Sequence, residues 1–230
     1  MKFINNLITT SAFLFLLITS TYAQSTETRK LSSFEGVSIG GAFTVYLQEG
    51  NSPSIKIEAS SEDISKIITE VKNGTLRVKV KPGSRNVDGT LYITYSKNLS
   101  AISLSGACKV TTKSTLKGST LALNGSGSGK YQLQLSVGEL KANFSGSNQA
   151  NLEGNAKRVN LNSSGSAKVY GSDLKVGDAS IKLSGSGYVE MEINGDLQAS
   201  ISGSGKVRYK GNPTNVQMNV SGSGKVQKLD

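Results

Sequence analysis

The 230-residue chain has no histidine, no tryptophan, one cysteine and three prolines. Without histidine it lacks the commonest neutral-pH base and metal ligand. A single cysteine, Cys108, excludes an internal disulfide and any cysteine-rich zinc site. No Pro-rich or polar low-complexity stretch divides the chain. Charged residues make up 18% and hydrophobic residues 36%, which does not describe a disordered chain. Beyond the first 23 residues no apolar run approaches the length of a membrane-spanning helix. What is abundant is glycine, 26 residues, and serine, 35 residues. The length suits one domain, or two small ones.

The amino terminus reads as an export signal. Met1-Lys2 precedes an apolar run from Leu7 to Ile18, and Thr21-Tyr22-Ala23 supplies small residues at a cleavage site. Residues 1–23 are therefore expected to be removed. Gln24 follows the cut where a lipid-anchored protein would have cysteine. Without Lys2 the chain carries 25 basic and 16 acidic residues. Residues 24–98 hold 10 and 8 of these, and residues 99–230 hold 15 and 8, so the positive charge lies in the C-terminal part. Such a basic surface suits acidic glycans, anionic headgroups or nucleic acid.

Residues 99–230 repeat around a Ser-Gly-Ser-Gly motif. Its first glycine recurs as Gly106, Gly127, Gly146, Gly165, Gly185, Gly203 and Gly222, spaced by 21, 19, 19, 20, 18 and 19 residues. A period near 20 predicts a solenoid in which each unit is one coil. Four residues before the glycine stand Ile102, Leu123, Ala142, Leu161, Ile181, Ala199 and Met218, and four after it Val110, Tyr131, Ala150, Val169, Val189, Val207 and Val226. Apolar residues fall on even positions, the period of a β-strand with one face inward.

The odd positions are polar. Serine always precedes the glycine, and three before it stand Ser103, Asn124, Asn143, Asn162, Lys182, Ser200 and Asn219. Stacked coils bring identical positions to about 4.8 Å, so these side chains are expected to hydrogen-bond along a ladder. This also accounts for Asn-x-Ser/Thr sequons at Asn124, Asn143, Asn162 and Asn219. Three after the glycine stand Lys109, Lys130, Gln149, Lys168, Tyr188, Lys206 and Lys225. Five lysines in one column repel, so they fan into water or meet an anion. Two after it stand Cys108, Gly129, Asn148, Ala167, Gly187, Gly205 and Gly224. This inward column is small either because the chain turns there with positive φ or because the opposite wall is too close. Cys108 accordingly reads as a small buried hydrophobe.

Residues 24–98 form a divergent β-rich part of the same solenoid. Counted from Gly41 as zero, Val37, Ile39, Phe43, Val45 and Leu47 occupy even positions. Ser54–Glu58, Leu76–Val80 and Leu91–Tyr95 alternate, and Asn73-Gly74 marks a hairpin. Residues 61–71 hold the one expected helix, part of it strand, capped by Ser60 or Ser61 with Glu62 and Asp63 in its first turn.

Phe34-Glu35-Gly36-Val37, Gly40–Leu47, Ser54–Glu58, Asn73-Gly74-Thr75-Leu76 and the Ser-Gly-Ser-Gly coils together resemble the head GIN domain of autotransporter adhesins, across about residues 31–227. The resemblance implies an all-β parallel β-helix distantly like the pectin-lyase architecture. It also implies an adhesion role, and the export signal places the expected site in the periplasm, at the cell surface or outside the cell of a gram-negative bacterium. The family offers no catalytic residues to carry over.

The sequence therefore points to a non-catalytic adhesin or glycan-binding module with no cofactor or metal. Its partner would be an acidic glycan or cell-surface polymer held by Lys109, Lys130, Lys168, Lys206 and Lys225. A β-helix lyase or hydrolase is the alternative. Hydrolysis needs two placed carboxylates; Glu190 and Glu192 share an outward parity, with Asp173 and Asp178 one coil earlier. Nucleic acid is disfavoured by export and by the scarcity of exposed aromatic residues. The last coil stops shortly after Gly222, which leads to an expectation of self-association through the C-terminal edge.

Overall fold

The computed structural model describes residues 24–229. The expected signal segment, residues 1–23, lies outside them. The chain is a parallel β-solenoid of about seven turns, about 19 residues apart. The glycines stack in register: Gly41 on Gly106, then Gly127, Gly146, Gly165, Gly185 and Gly203. One coil shows the pattern. Strand Lys130–Gly146 pairs in parallel with Gln149–Gly165, from Lys130 opposite Gln149 to Gly146 opposite Gly165. Its inward residues Tyr131, Leu133, Leu135, Val137, Leu140, Ala142 and Phe144 are buried. Burying one such side chain contributes roughly 1.5–3 kcal/mol.

Coil length dictates where this alternation slips. A strand alternates with period two, so a coil with an odd residue count must shift parity once to return to register. In the 19-residue coil the shift falls between Val137 and Leu140, around Gly138. The 20-residue coil between Gly165 and Gly185 shifts twice. One shift lies at Val176–Ala179; the other is a bulge at Gly171–Leu174, where the register to both neighbouring coils is also interrupted. The 18-residue coil that follows keeps one parity from Val189 to Ile201.

The corner glycines are fixed by two constraints. From Gly106 to Gly222 their φ lies between 87° and 116°, a region that side-chain-bearing residues rarely adopt. A Cβ on Gly106 would stand 2.4 Å from the Gly41 carbonyl oxygen, and one on Gly165 2.7 Å from that of Gly146. The small column two residues later has no positive φ. There the second sequence alternative holds: a Cβ on Gly205 would press Leu183 at 3.1 Å and Ile201 at 3.3 Å. Cys108 sits fully buried in this column, and burial pushes its thiol pKa up.

The N-terminal part supplies the strand Gly36–Glu49, which stacks on Ala101–Gly106 and Lys109–Thr112 of the first repeat coil, and a lid of further strands. Thr75–Val80 and Asp88–Tyr95 pair in parallel with Gly36–Glu49 on the side away from the repeats. Antiparallel strands extend this layer: Ser54–Ser60 on Asp88–Tyr95, Gln24–Lys30 on Ser54–Ser60, and Ile67–Lys72 on Thr75–Val80. The last pair is the hairpin at Asn73-Gly74, both at positive φ. The helix spans Ser61–Lys66, with the Ser60 hydroxyl accepting the Asp63 N–H at 3.0 Å, and the chain then becomes strand.

The final coil departs from the expected burial. Met218 and Val220 are 51% and 41% exposed, although the equivalent Ala199 and Ile201 are buried. They point inward in register with those residues, but among the described residues no coil lies over them. Val189 and Val207 are fully buried and Val226 packs against the core, as the repeat register requires.

Candidate binding faces

Outward residues form two polar faces on either side of the glycine corner. On the face before the corner, the serine row runs beside the row of Ser103, Asn124, Asn143 and Asn162. The ladder expected from sequence is present. Asn124 Nδ2 donates to Ser103 Oγ at 3.3 Å, Asn143 Nδ2 to Asn124 Oδ1 at 3.3 Å, and Asn162 Nδ2 to Asn143 Oδ1 at 3.1 Å. Lys182 and Ser200 continue the row in register. The two rows line a groove of about 680 Å³ crossing the coils from Ser38 to Ser202. Sequence reading located the rows but not the groove, which depends on how the coil bends at its corner.

Across the corner, the structure brings the five sequence-designated lysines into one exposed row. Lys109 is opposite Lys130, and Lys206 is opposite Lys225; Gln149 separates Lys130 from Lys168, and Tyr188 separates Lys168 from Lys206. None of the five lines the groove. A second row two residues further on contains Thr111, Gln132, Asn151, Tyr170, Glu190, Arg208 and Gln227 in register.

One part of this face is bound together by side chains. Glu190 accepts hydrogen bonds from the hydroxyls of Ser172 and Tyr188. Arg208 donates to the Tyr188 hydroxyl at 3.3 Å and stands 3.7 Å from Glu190. Hydrogen bonds from Ser172 and Tyr188, with Arg208 adding to them, hold the Glu190 carboxyl below its ordinary pKa. Burial, then the contact with Glu190, raises the Tyr188 phenol. The Tyr170 and Tyr188 rings lie 5.6 Å apart at 44°. The sequence contained these residues, but the bulge that delivers Ser172 to Glu190 follows from the extra residue in that coil.

The carboxylates named for the hydrolase alternative stand in different surroundings. Glu190 is engaged by Ser172, Tyr188 and Arg208, which hold its carboxyl below the ordinary value. Asp178 instead accepts the Asp196 backbone N–H at 3.0 Å. Among the described residues no three acidic or cysteine side chains gather as a metal site would require.

These stacked coils and side-chain ladders define a parallel β-solenoid with two repetitive polar faces. The chain belongs to the family described as "Putative auto-transporter adhesin, head GIN domain", whose model matches residues 33–213. Its fold is shared with a crystal structure described as a putative adhesin from Bacteroides fragilis NCTC 9343: TM-score 0.83, 22% identity, 90% of this chain and 97% of that one covered. A putative adhesin from Parabacteroides merdae ATCC 43184 gives TM-score 0.72 at 22% identity, covering 90% and 96%. A protein from Parabacteroides distasonis ATCC 8503, described as a putative lipid binding protein, gives 0.71 at 20% identity, covering 90% and 97%. No curated protein matches the chain.

Proposed function

We propose that this is an exported, non-catalytic adhesin-type module that binds a repetitive acidic polymer, a surface glycan, along the lysine face. The observation that carries this reading is the row itself: five exposed lysines in register on one side of the solenoid. Rungs about 4.8 Å apart bring like charges close, and an extended polyanion relieves that repulsion. The adhesin description of the family supports the reading. The test is binding of the purified protein to alginate, an acidic glycan, across a salt series. Exposed charges are screened over about 10 Å at 0.1 M salt, so affinity falls steeply as salt rises. Replacing Lys109, Lys130, Lys168, Lys206 and Lys225 together by Gln abolishes most of the binding. Unchanged affinity in that variant rules the row out.

The groove favours a second reading, an uncharged extended chain lying along the Ser and Asn rows. It is distinguished by affinity for a neutral glycan that is indifferent to salt and lost when Asn143 is replaced by Leu.

A further inference from the structure

We propose that Tyr170 and Tyr188, with the cations around them, form a subsite for one ring of an acidic polysaccharide. This inference rests on the reading of the lysine face given above and names what that face recognises.

The site is a departure from the repeat. Tyr188 occupies a lysine-row position, with Lys168 and Lys206 in register on either side. In the adjoining row, Tyr170 and Arg208 flank Glu190 in the same way. Stacking does not require tyrosine here, since the same rows hold Gln149, Asn151 and Gln132 in earlier coils. Tyr170 is 41% exposed, a large ring between Asn151 and Glu190 in its row.

The pair is also held in place. Tyr188 is fixed through its hydroxyl to Glu190, and Glu190 is fixed by Ser172 from the bulged coil. Bulges commonly re-aim a side chain beside a functional site. Tyr170 leans on Tyr188, which leaves part of its ring open to solvent. Arg208 is engaged through Nη1, and its buried Nε has no hydrogen-bond partner among the described residues.

The chemistry fits a pyranose carrying a carboxylate or sulfate. The apolar C–H face of the ring packs on Tyr170, where an amphipathic aromatic gives contact area at small entropic loss. Lys168, Lys206 and Arg208 against Glu190 leave 3 − 1 = +2 for the acidic group. Lys168 and Lys206 each lie one rung, about 4.8 Å, from the Tyr188 strand, so neighbouring units of the same polymer meet the rest of the lysine row.

The test separates sugar recognition from charge attraction by using two polyanions, alginate and polyglutamate. Wild-type protein, Tyr170→Ala, Tyr170→Phe and the five-lysine variant are compared, with urea unfolding midpoints as a check on folding. Tyr170→Ala lowers affinity for alginate about tenfold, leaves polyglutamate binding unchanged, and Tyr170→Phe restores the loss. Equal loss on both polymers, or no loss on either, overturns the subsite while the lysine-row reading stands. A five-lysine variant that binds alginate like wild type, or wild-type protein that does not bind alginate, overturns the underlying reading.

Discussion

Asn148 Oδ1 accepts the backbone N–H of Gly129, one coil back, at 3.2 Å inside the solenoid. The same amide donates to the carbonyls of Ser145 at 2.7 Å and Gly125 at 3.3 Å. It occupies the inward column that in the other repeat coils holds only Gly, Ala or Cys. Room for it comes from two glycines: a Cβ on Gly125 would lie 2.3 Å from Asn148 Oδ1, and one on Gly129 2.9 Å. A buried amide is tolerated here because both its ends are paired.

Asn148→Ala leaves the Gly129 N–H without its side-chain acceptor and opens a small void, and is expected to destabilise the fold by about 1–3 kcal/mol. Urea titration measures it. Gly125→Ala is expected to be at least as damaging, because its new methyl collides with that same amide. A neutral result for both would show that the pocket rearranges freely.

Gly165→Ala places a methyl at φ 114° against the Gly146 carbonyl oxygen. The backbone strain alone costs about 1–2 kcal/mol, and the collision adds to it. Ser166→Ala, next along the exposed corner, should stay within about 0.5 kcal/mol. Similar denaturation midpoints for the two variants would contradict the corner geometry.

Tyr131 is buried against Phe144, its hydroxyl donating to the Asn124 carbonyl at 2.7 Å, and burial raises its phenol well above the ordinary value. The folded state therefore holds the proton more tightly than the unfolded chain. Its stabilising contribution is complete below the unfolded value of about 10 and is lost as pH rises toward the folded value. Tyr131→Phe is expected to lose about 1 kcal/mol at neutral pH with the hydrogen bond, and to show a shallower decline above pH ~10. Thermal unfolding across pH 8–11 (~) compares the two slopes; parallel slopes would exclude Tyr131 as the titrating group.

Ser163 stands in an inward column with Leu104, Phe144, Leu183 and Ile201, and its buried hydroxyl has no hydrogen-bond partner among the described residues. Ser163→Ala removes that unpaired group and should raise stability by about 1 kcal/mol. A loss of stability would mean that the hydroxyl is satisfied, by an ordered water for example.

The repeat itself was written in the sequence. Period-two burial, the order of the coils, the Asn ladder and the common row of the five lysines all follow from counting residues from each glycine. Stacked identical units put equal positions side by side whatever the details of the bend. The short helix and the Asn73-Gly74 hairpin were legible for a local reason, since Ser60 and the two turn residues carry their own capping and turn chemistry. Tertiary structure decided what depends on contacts between coils. Only the stacked backbones show that positive φ belongs to Gly165 and its equivalents, while the Gly205 column is small because Leu183 and Ile201 crowd it. Only the fold reveals the groove beside the Asn ladder, and only the bulge of the 20-residue coil brings Ser172 to Glu190 and anchors Tyr188 beneath Tyr170. Those features arise where residues distant along the chain compete for the same space, and a one-dimensional pattern carries no record of that competition.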